Sequence, residues 1–230
     1  MSRSPTSLIA LVLLAGCTAG NLDGGGRMAI GSAEYRMPVR DMVSRRFLTV
    51  VRQQYDFSCG SAALATLLHY HYDDPHNEQS AFLGMWRDGD QAQIRRLGFS
   101  MLDMKRYLAA RGIQADGYRV TLDQIAEAQV PGIALIDTRG YKHFVVVKGV
   151  ENGDVLVGDP ALGLRHVPAA EFRSMWNGIL FAINGRTELA KASFGRDDEW
   201  ALIPRARALL SMEPVSQQAL ALTRPLPGEL

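Results

Sequence analysis

Three short apolar runs in the second half of the chain, separated by turn residues, place the strongest constraint on its fold. They are Gly132–Ile136, His143–Val150 and Asp154–Asp159. Runs of this length that are rich in valine and isoleucine predict strands, and the Asn152-Gly153 pair before the last run is typical of a two-residue hairpin. The sequence therefore predicts antiparallel strands in this half of the chain.

Helix signals come before these strands. The stretches Ser58 to about Tyr72, Ser100–Arg111 and Thr121 to about Gln129 each begin at a serine or threonine and continue with helical apolar spacing. Helices followed by antiparallel strands predict an α+β domain. The apolar, β-branched segment Phe47–Gln53 is predicted to be a short strand that leads into the first helix.

The N-terminus is typical of an export signal. Arg3 precedes the apolar segment Leu8–Ala15, which is too short to span a bilayer and runs into Leu14–Cys17, a sequence that resembles a bacterial lipoprotein box. The resemblance implies a lipoprotein signal peptide over 1–17 and lipidation of Cys17, and Thr18 in place of aspartate implies the outer membrane. A conventional cleaved secretory signal is the alternative. Either way, we expect a periplasmic protein of a Gram-negative bacterium.

The rest of the chain divides into three predicted parts. Residues 18–46, which include three consecutive glycines, are predicted to be a flexible linker; residues 47–185 the folded domain; and residues 186–230 a helical C-terminal extension and tail. The net charge of +1 gives no electrostatic reason to expect nucleic acid. No phosphate-cradling motif is present, so nothing supports a nucleotide partner.

Cys59 is the candidate nucleophile. The chain has two cysteines, and if Cys17 carries lipid, Cys59 has no disulfide partner in an oxidising compartment. A thiol at the start of a helix lies at the positive end of the helix dipole, which favours the thiolate. Cys59 is therefore expected to be reactive and partly buried in a narrow cleft.

Three further residues could complete a cysteine-hydrolase site. His143 begins one predicted strand and Asp159 ends the next, and antiparallel strands joined by a hairpin bring such positions side by side. Asp159 could then hold one imidazole nitrogen while the other faces Cys59. Gln53, six residues before Cys59, could donate its amide to the oxyanion together with the backbone N–H of Cys59.

Three stretches of the chain resemble motifs of the C39 peptidases, papain-like proteases found in bacteriocin exporters. Gln53–Leu64 resembles their glutamine-to-cysteine motif, Tyr141–Val147 their histidine motif and Val157–Gly163 their aspartate motif. The resemblance extends from about Val50 to Ile183. It implies a papain-like fold, with a helical part that carries the nucleophile and an antiparallel sheet that carries histidine and aspartate.

Carried over residue by residue, the resemblance implies that Gln53 is the oxyanion donor, Cys59 the nucleophile, His143 the base and Asp159 its orienting carboxylate. Ser58 stands where the family usually has aspartate. The implied substrate is an exported protein or leader peptide, which the family cuts after a double glycine, and no cofactor is implied. Free-standing exported members resemble the peptidase component of functional-amyloid secretion systems in pseudomonads.

Two other functions are compatible with the sequence. The run His69-Tyr70-His71-Tyr72-Asp73 resembles a metallo-hydrolase ligand run, so a zinc-dependent hydrolase using His69, His71 and Asp73 is one alternative. Ligands two residues apart lie about 200° apart on a helix and cannot share a metal there, so the helix prediction disfavours it and we expect no metal. The other alternative is a peptide-binding adaptor or chaperone of a secretion system.

Overall fold

The computed structural model describes residues 25–30, 33–38 and 42–203. In the N-terminal unit, which ends at Asp41, the described residues form an antiparallel pair of strands, β1 (Gly25–Ile30) and β2 (Ala33–Pro38). These strands lie inside the segment predicted to be a flexible linker, where each residue of one strand has a partner in the other. The predicted signal peptide with Cys17 lies outside the described residues.

The second unit begins at Met42 and has an α+β architecture, as predicted. Its described helices are α1 (Met42–Arg46), α2 (Cys59–His71), α3 (Glu78–Asp88), α4 (Gln91–Leu97), α5 (Met101–Ala109), α6 (Leu122–Ala128), α7 (Ala169–Met175), α8 (Thr187–Ser193) and α9 (Asp197–Leu202). Its described strands are β3 (Ala115–Arg119), β4 (Gly132–Thr138), β5 (Tyr141–Glu151), β6 (Asp154–Asp159), β7 (Gly163–Pro168) and β8 (Trp176–Ile183). They form one antiparallel sheet in the order β3-β8-β4-β5-β6-β7.

Two predicted helices begin with reciprocal capping contacts. The Ser100 hydroxyl accepts a hydrogen bond from the Asp103 N–H at the start of α5, and the Asp103 carboxylate accepts one from the Ser100 N–H. Thr121 and Gln124 make the same pair of contacts at the start of α6. These contacts satisfy amide groups that have no partner within the helix, and they confirm both predicted helix starts.

The predicted hairpin between β5 and β6 is also confirmed. Asn152 and Gly153 both have positive φ angles, 53° and 81°, as a type I′ turn requires. Glu151 pairs with Asp154 directly across the turn. The hairpin sets the register that brings the end of β6 back towards the beginning of β5.

The predicted strand over Phe47–Gln53 is wrong. The Val51 N–H donates to the Thr66 hydroxyl of α2 at 2.9 Å, and the Gln53 N–H donates to the Pro160 carbonyl at 3.0 Å. A side chain and a turn supply these hydrogen bonds, so the segment needs no neighbouring strand despite its β-branched composition. It crosses α2 and the turn after β6 as irregular backbone.

The centre of the sheet is buried on both faces. Phe144 and Val146 of β5 pack into the core that contains α2, while Val145 and Val147 pack into a second core on the opposite face. Successive residues of a strand point to opposite faces, so β5 contributes to both cores. Helix α2 is buried at every residue from Cys59 to Leu68, which explains why its sequence lacks a polar face.

Helices α8 and α9 fall in the predicted C-terminal extension. Helix α8 packs against α2. Glu199 of α9 forms an ion pair with Lys148 of β5, at 2.9 Å, and both side chains are fully buried. The tail predicted after α9 lies outside the described residues. Among the described residues, no helix combines the length and apolar character needed to cross a bilayer.

Candidate active site

Cys59 is the first residue of α2 and is 7% exposed. The first hydrogen bond of the helix runs from the Ala62 N–H to the Ser58 carbonyl at 3.1 Å, so the amides of Cys59 and the next two residues lie at the open end of the helix. These amides and the aligned helix dipole favour negative charge at this point. The thiol is free, and its burial fits the expected cleft position.

Ser58 occupies the position before the helix, but the predicted cap is not formed, because the Ser58 side chain makes no hydrogen bond to the first turn. It donates instead to the Glu78 carboxylate, at 2.5 Å, and also lies 2.9 Å from the Tyr55 carbonyl. Glu78 lies twenty residues away along the chain, so helix-start patterns could not identify this partner. The hydroxyl therefore fixes the loop before Cys59 rather than the first turn of α2.

Gly60 allows the helix start to pack closely against its neighbours. A Cβ atom at this position would lie 3.0 Å from both the Phe99 Cβ and the Met104 Cε and 3.5 Å from the ring of Phe144. Phe144 immediately follows His143 on β5. The absence of a side chain at Gly60 thus lets the beginning of α2 pack closely against Phe99 and Met104, while the ring of Phe144 lies at an ordinary contact distance.

His143 and Asp159 form a buried pair. Their side chains are 7% and 3% exposed, and the imidazole Nε2 lies 2.8 Å from the Asp159 Oδ1. The same oxygen accepts hydrogen bonds from the N–H groups of Ala161, at 2.9 Å, and Leu162, at 3.1 Å. The carboxylate is thus held in an Asx-type turn at the end of β6, and it fixes the orientation of the imidazole.

The electrostatics of the pair favour its charged form. Burial lowers the pKa of His143, but the hydrogen bond with Asp159, the nearby Cys59 thiol and the charges of both residues outweigh burial and raise the pKa to about 9. Burial raises the pKa of Asp159, yet the contacts with His143, the Ala161 N–H and Arg165 lower it overall. An imidazolium beside a carboxylate is therefore the expected state at neutral pH.

The second imidazole nitrogen faces the thiol side of the site. Nε2 is engaged with Asp159, whereas Nδ1 is buried without a hydrogen bond of regular geometry to a described group. The Cys59 thiol is near enough to raise the pKa of the imidazole. The structure thus brings together Cys59, His143 and Asp159, with the imidazole adjacent to the other two.

Gln53 lies on the irregular segment before α2, beside the turn that follows Asp159. Its N–H donates to the Pro160 carbonyl, one residue after Asp159, and its side-chain Nε2 donates to the Tyr55 carbonyl at 3.2 Å. The side-chain Oε1 is buried and has no partner in the described structure. The neighbouring Gln54 is exposed, so Gln53 is the glutamine whose amide points inward.

Tyr141 borders the site, although sequence reasoning gave it no role of its own. Its side chain is 56% exposed, and its ring stacks on the His143 imidazole with centroids 5.9 Å apart and an interplanar angle of 26°. Burial raises the pKa of its hydroxyl, and the charges of Cys59 and Asp56 raise it further. Its place two residues before His143 on β5 was the available signal, because alternate residues share a face.

The arrangement of His69 and His71 does not support the zinc-site alternative. His71 is buried on α2, with Nδ1 2.9 Å from the Ser193 hydroxyl of α8, while His69 is exposed at the end of the same helix. Within the part of the chain that the structure describes, no three His, Cys, Asp or Glu side chains are grouped as a metal site requires. The helix thus separates residues that an extended loop would have placed together.

Comparison with known proteins identifies similar chains. A model of the peptidase C39 family matches residues 48–188. Two relatives named "Probable functional amyloid protease FapD" are each 42% identical. The Pseudomonas aeruginosa match spans 181 residues, 79% of this chain and 80% of the relative. The Pseudomonas fluorescens match spans 183 residues, 78% and 79% of the two chains.

A solved structure shares the fold. It is the peptidase domain of Streptococcus ComA, described as a bi-functional ABC transporter involved in a quorum sensing pathway. The TM-score is 0.51 at 19% sequence identity, and the match covers 59% of this chain and 96% of that domain. At this identity the likeness shows a common arrangement of helices and sheet.

Proposed function

We propose how this chain, which belongs to the peptidase C39 family and is a cysteine peptidase, cuts its substrate: Cys59 is the nucleophile and His143 its proton-transfer partner. The observation that carries this assignment is the buried His143–Asp159 pair beside the thiol at the start of α2. Family membership and the papain-like α+β fold confirm the resemblance seen in the sequence.

In the proposed mechanism, the Cys59 thiolate attacks the scissile carbonyl carbon, so the Sγ–C bond forms and the carbonyl oxygen becomes an oxyanion. The His143 imidazolium then gives its proton to the leaving amine, the C–N bond breaks and an acyl-enzyme remains. A water molecule attacks this thioester while neutral His143 accepts its proton, and the carboxylic acid product leaves. Asp159 keeps the imidazole oriented and stabilises its charged form.

Two donors are proposed for the oxyanion. The Cys59 N–H lies at the open end of α2 and is available for an acceptor. The Gln53 side-chain amide has two N–H groups, of which one reaches the Tyr55 carbonyl and the other remains for the oxyanion. Such donors stabilise charge that develops only in the transition state.

The proposed substrate is an exported fibril-forming protein or its leader peptide. The names of the two Pseudomonas relatives, which refer to functional amyloid, support this substrate class. Cleavage after a double glycine is proposed from the family resemblance, and action in the periplasm with a Cys17 lipid anchor at the outer membrane is proposed from the N-terminal sequence alone. Position-by-position substitution of candidate cleavage sites tests the double-glycine preference. Labelling with radioactive palmitate tests the lipid anchor, because the Cys17→Ser variant should lose the label that the wild type takes up.

Mass spectrometry of exported proteins from cells that carry wild-type protein or Cys59→Ala tests the proposal. A new substrate N-terminus is expected with the wild type and not with Cys59→Ala. The matched control is His69→Ala, an exposed histidine at the other end of α2, which should process normally. Processing that persists in Cys59→Ala contradicts the thiol mechanism and favours the adaptor; loss in His69→Ala under the same conditions favours the metal alternative.

A further inference from the structure

We propose that Glu78 is a positioning residue that holds the segment between the two oxyanion donors. Glu78 is the first residue of α3 and is 4% exposed. It was not among the residues singled out from the sequence, and it contacts no reacting atom. The inference rests on the proposed peptidase function and concerns how that site is kept in shape.

The Glu78 carboxylate is bonded to both sides of the loop before α2. Its Oε1 accepts a hydrogen bond from the Gln54 N–H at 3.1 Å and from the Ser58 hydroxyl at 2.5 Å. Gln54 directly follows Gln53, and Ser58 directly precedes Cys59. One carboxylate oxygen therefore restrains the chain neighbours of both residues that supply the oxyanion donors.

The loop closes on itself around the same hydroxyl. Ser58 Oγ accepts a hydrogen bond from the Tyr55 N–H at 3.1 Å, and the Tyr55 carbonyl accepts from the Gln53 side-chain amide. The Gln53 backbone is fixed from the other side by the Pro160 carbonyl. The path from Glu78 to the Gln53 amide thus consists of hydrogen bonds and one short stretch of backbone.

Burial of a carboxylate without hydrogen bonds is unfavourable in free energy, so the hydrogen bonds that Glu78 makes indicate a specific role. Its Oε1 is satisfied by two donors, whereas the buried Oε2 has no partner among the described residues, and the first turn of α3 is the end of a helix where negative charge is stabilised. Because catalytic groups misplaced by about 1 Å lose roughly a hundredfold in rate, an anchor of this kind is needed where the loop itself has no regular secondary structure.

The test separates oxyanion binding from thiol reactivity by using two small probes. Acetyl-Gly-Gly-aldehyde adds reversibly to the thiol, so that the Sγ–C bond forms, the carbonyl opens and its oxygen occupies the oxyanion site. Iodoacetamide alkylates the same thiol by displacement of iodide and needs no oxyanion site. The dissociation constant of the first and the rate with the second are measured for wild type, Glu78→Ala, Glu78→Gln, Ser58→Ala and the control Gln79→Ala, an exposed neighbour on α3.

We expect Glu78→Ala to weaken aldehyde binding by about tenfold or more, while the iodoacetamide rate stays close to that of the wild type. Glu78→Gln retains an acceptor and should recover most of the affinity, and Gln79→Ala should match the wild type. Combining Glu78→Ala with Ser58→Ala should weaken binding by less than the two single effects combined, because the two variants share the loss of the Ser58–Glu78 hydrogen bond.

Several results would overturn the proposal. Unchanged aldehyde affinity in folded Glu78→Ala would show that Glu78 serves only stability. An equal fall in aldehyde affinity and in the rate of alkylation by iodoacetamide would show that Glu78 acts on the thiol itself. If Glu78→Ala does not fold, Ser58→Ala decides, since normal aldehyde binding in that variant also contradicts the inference. Wild-type protein whose Cys59 captures neither probe would instead contradict the proposed peptidase function.

Discussion

His143 carries its proton at neutral pH, because its pKa is about 9. In the proposed mechanism, a protonated imidazole beside the thiol stabilises the thiolate and holds the proton that the leaving amine needs. The carboxylate of Asp159, whose own pKa is lowered, maintains this state. His143 and Asp159 therefore form an ion pair beside the Cys59 thiol.

The first prediction concerns the pH dependence of cleavage. Because the pKa of His143 is raised, its proton is retained through neutral pH and lost as the pH passes about 9. We expect kcat/KM to fall on the alkaline side near that value, as measured by cleavage assays over neutral and alkaline pH. A decline centred near the pKa of an unperturbed histidine, about 6.5, would contradict the assigned pair.

The second prediction concerns Asp159. Asp159→Asn keeps a carbonyl oxygen for the imidazole but removes the charge, so the alkaline limit of activity should move to lower pH with a modest loss of kcat. Asp159→Ala also removes the acceptor of the Ala161 and Leu162 amides and should lose about a hundredfold or more in kcat/KM. Equal pH profiles for wild type and Asp159→Asn would show that the charge is unimportant.

The sequence predicts those site residues whose order along the chain is informative. Cys59, His143 and Asp159 could be singled out because their types, order and hairpin relation are visible in the sequence. Glu78 could not, since a glutamate after Asn77 reads as an ordinary first-turn residue, and only the tertiary fold shows that it is buried against Ser58. Pairing among buried polar groups is decided by packing, which local patterns do not record.

At the scale of elements, the Lys148–Glu199 ion pair connects β5 with α9. Burial lowers the pKa of Lys148, while the charge of Glu199 opposes that change. The ammonium also donates to the Thr49 carbonyl at 2.9 Å, on the segment that leads to Gln53. A buried pair of this kind holds a C-terminal helix, the central strand and the approach to the site in one arrangement.

The third prediction follows from this pair. Glu199→Ala leaves the Lys148 ammonium buried without its counter-charge and should destabilise the protein by about 3–5 kcal/mol, as measured by denaturant unfolding. The double variant Lys148→Met with Glu199→Leu should recover most of that loss. If the double variant is as unstable as Glu199→Ala, the contribution comes from shape at this position rather than from charge pairing.

Element prediction succeeded where local chemistry decides the outcome. Capping boxes at Ser100 and Thr121 and the turn at Asn152-Gly153 satisfy backbone groups within a few residues, so their sequences were sufficient. Phe47–Gln53 was misassigned because its hydrogen-bond partners are distant in sequence. The insertion of β8 between β3 and β4 likewise depends on non-local pairing.

For the whole molecule, His71 connects stability to pH. Burial lowers the pKa of His71 well below its usual range, and the charges of Lys148 and Arg196 lower it further. The folded protein therefore holds neutral His71 next to Ser193, whereas the unfolded chain takes up a proton. The contribution of this residue to stability is full above the unfolded pKa of about 6.5 and is lost as the pH falls below it.

The fourth prediction uses this sign. The melting temperature of the wild type should fall more steeply on acidification than that of His71→Gln, which has no titrating group at the contact between α2 and α8. The variant is expected to be less stable at neutral pH, because it alters a tightly packed contact, and the difference should shrink in acid. Parallel pH profiles for the two proteins would show that His71 does not govern the acid response.

The order of strands in the sheet has a consequence for a protease proposed to work among fibril-forming chains. A sheet edge with free backbone groups can recruit foreign strands. Edge strand β3 has five residues, among them the charged Asp116 and Arg119, and edge strand β7 includes Arg165 and ends at Pro168, which cannot donate a backbone hydrogen bond. These two edges of the six-stranded sheet are thus poor templates for the addition of a foreign strand, which suits the proposed work among fibril-forming chains.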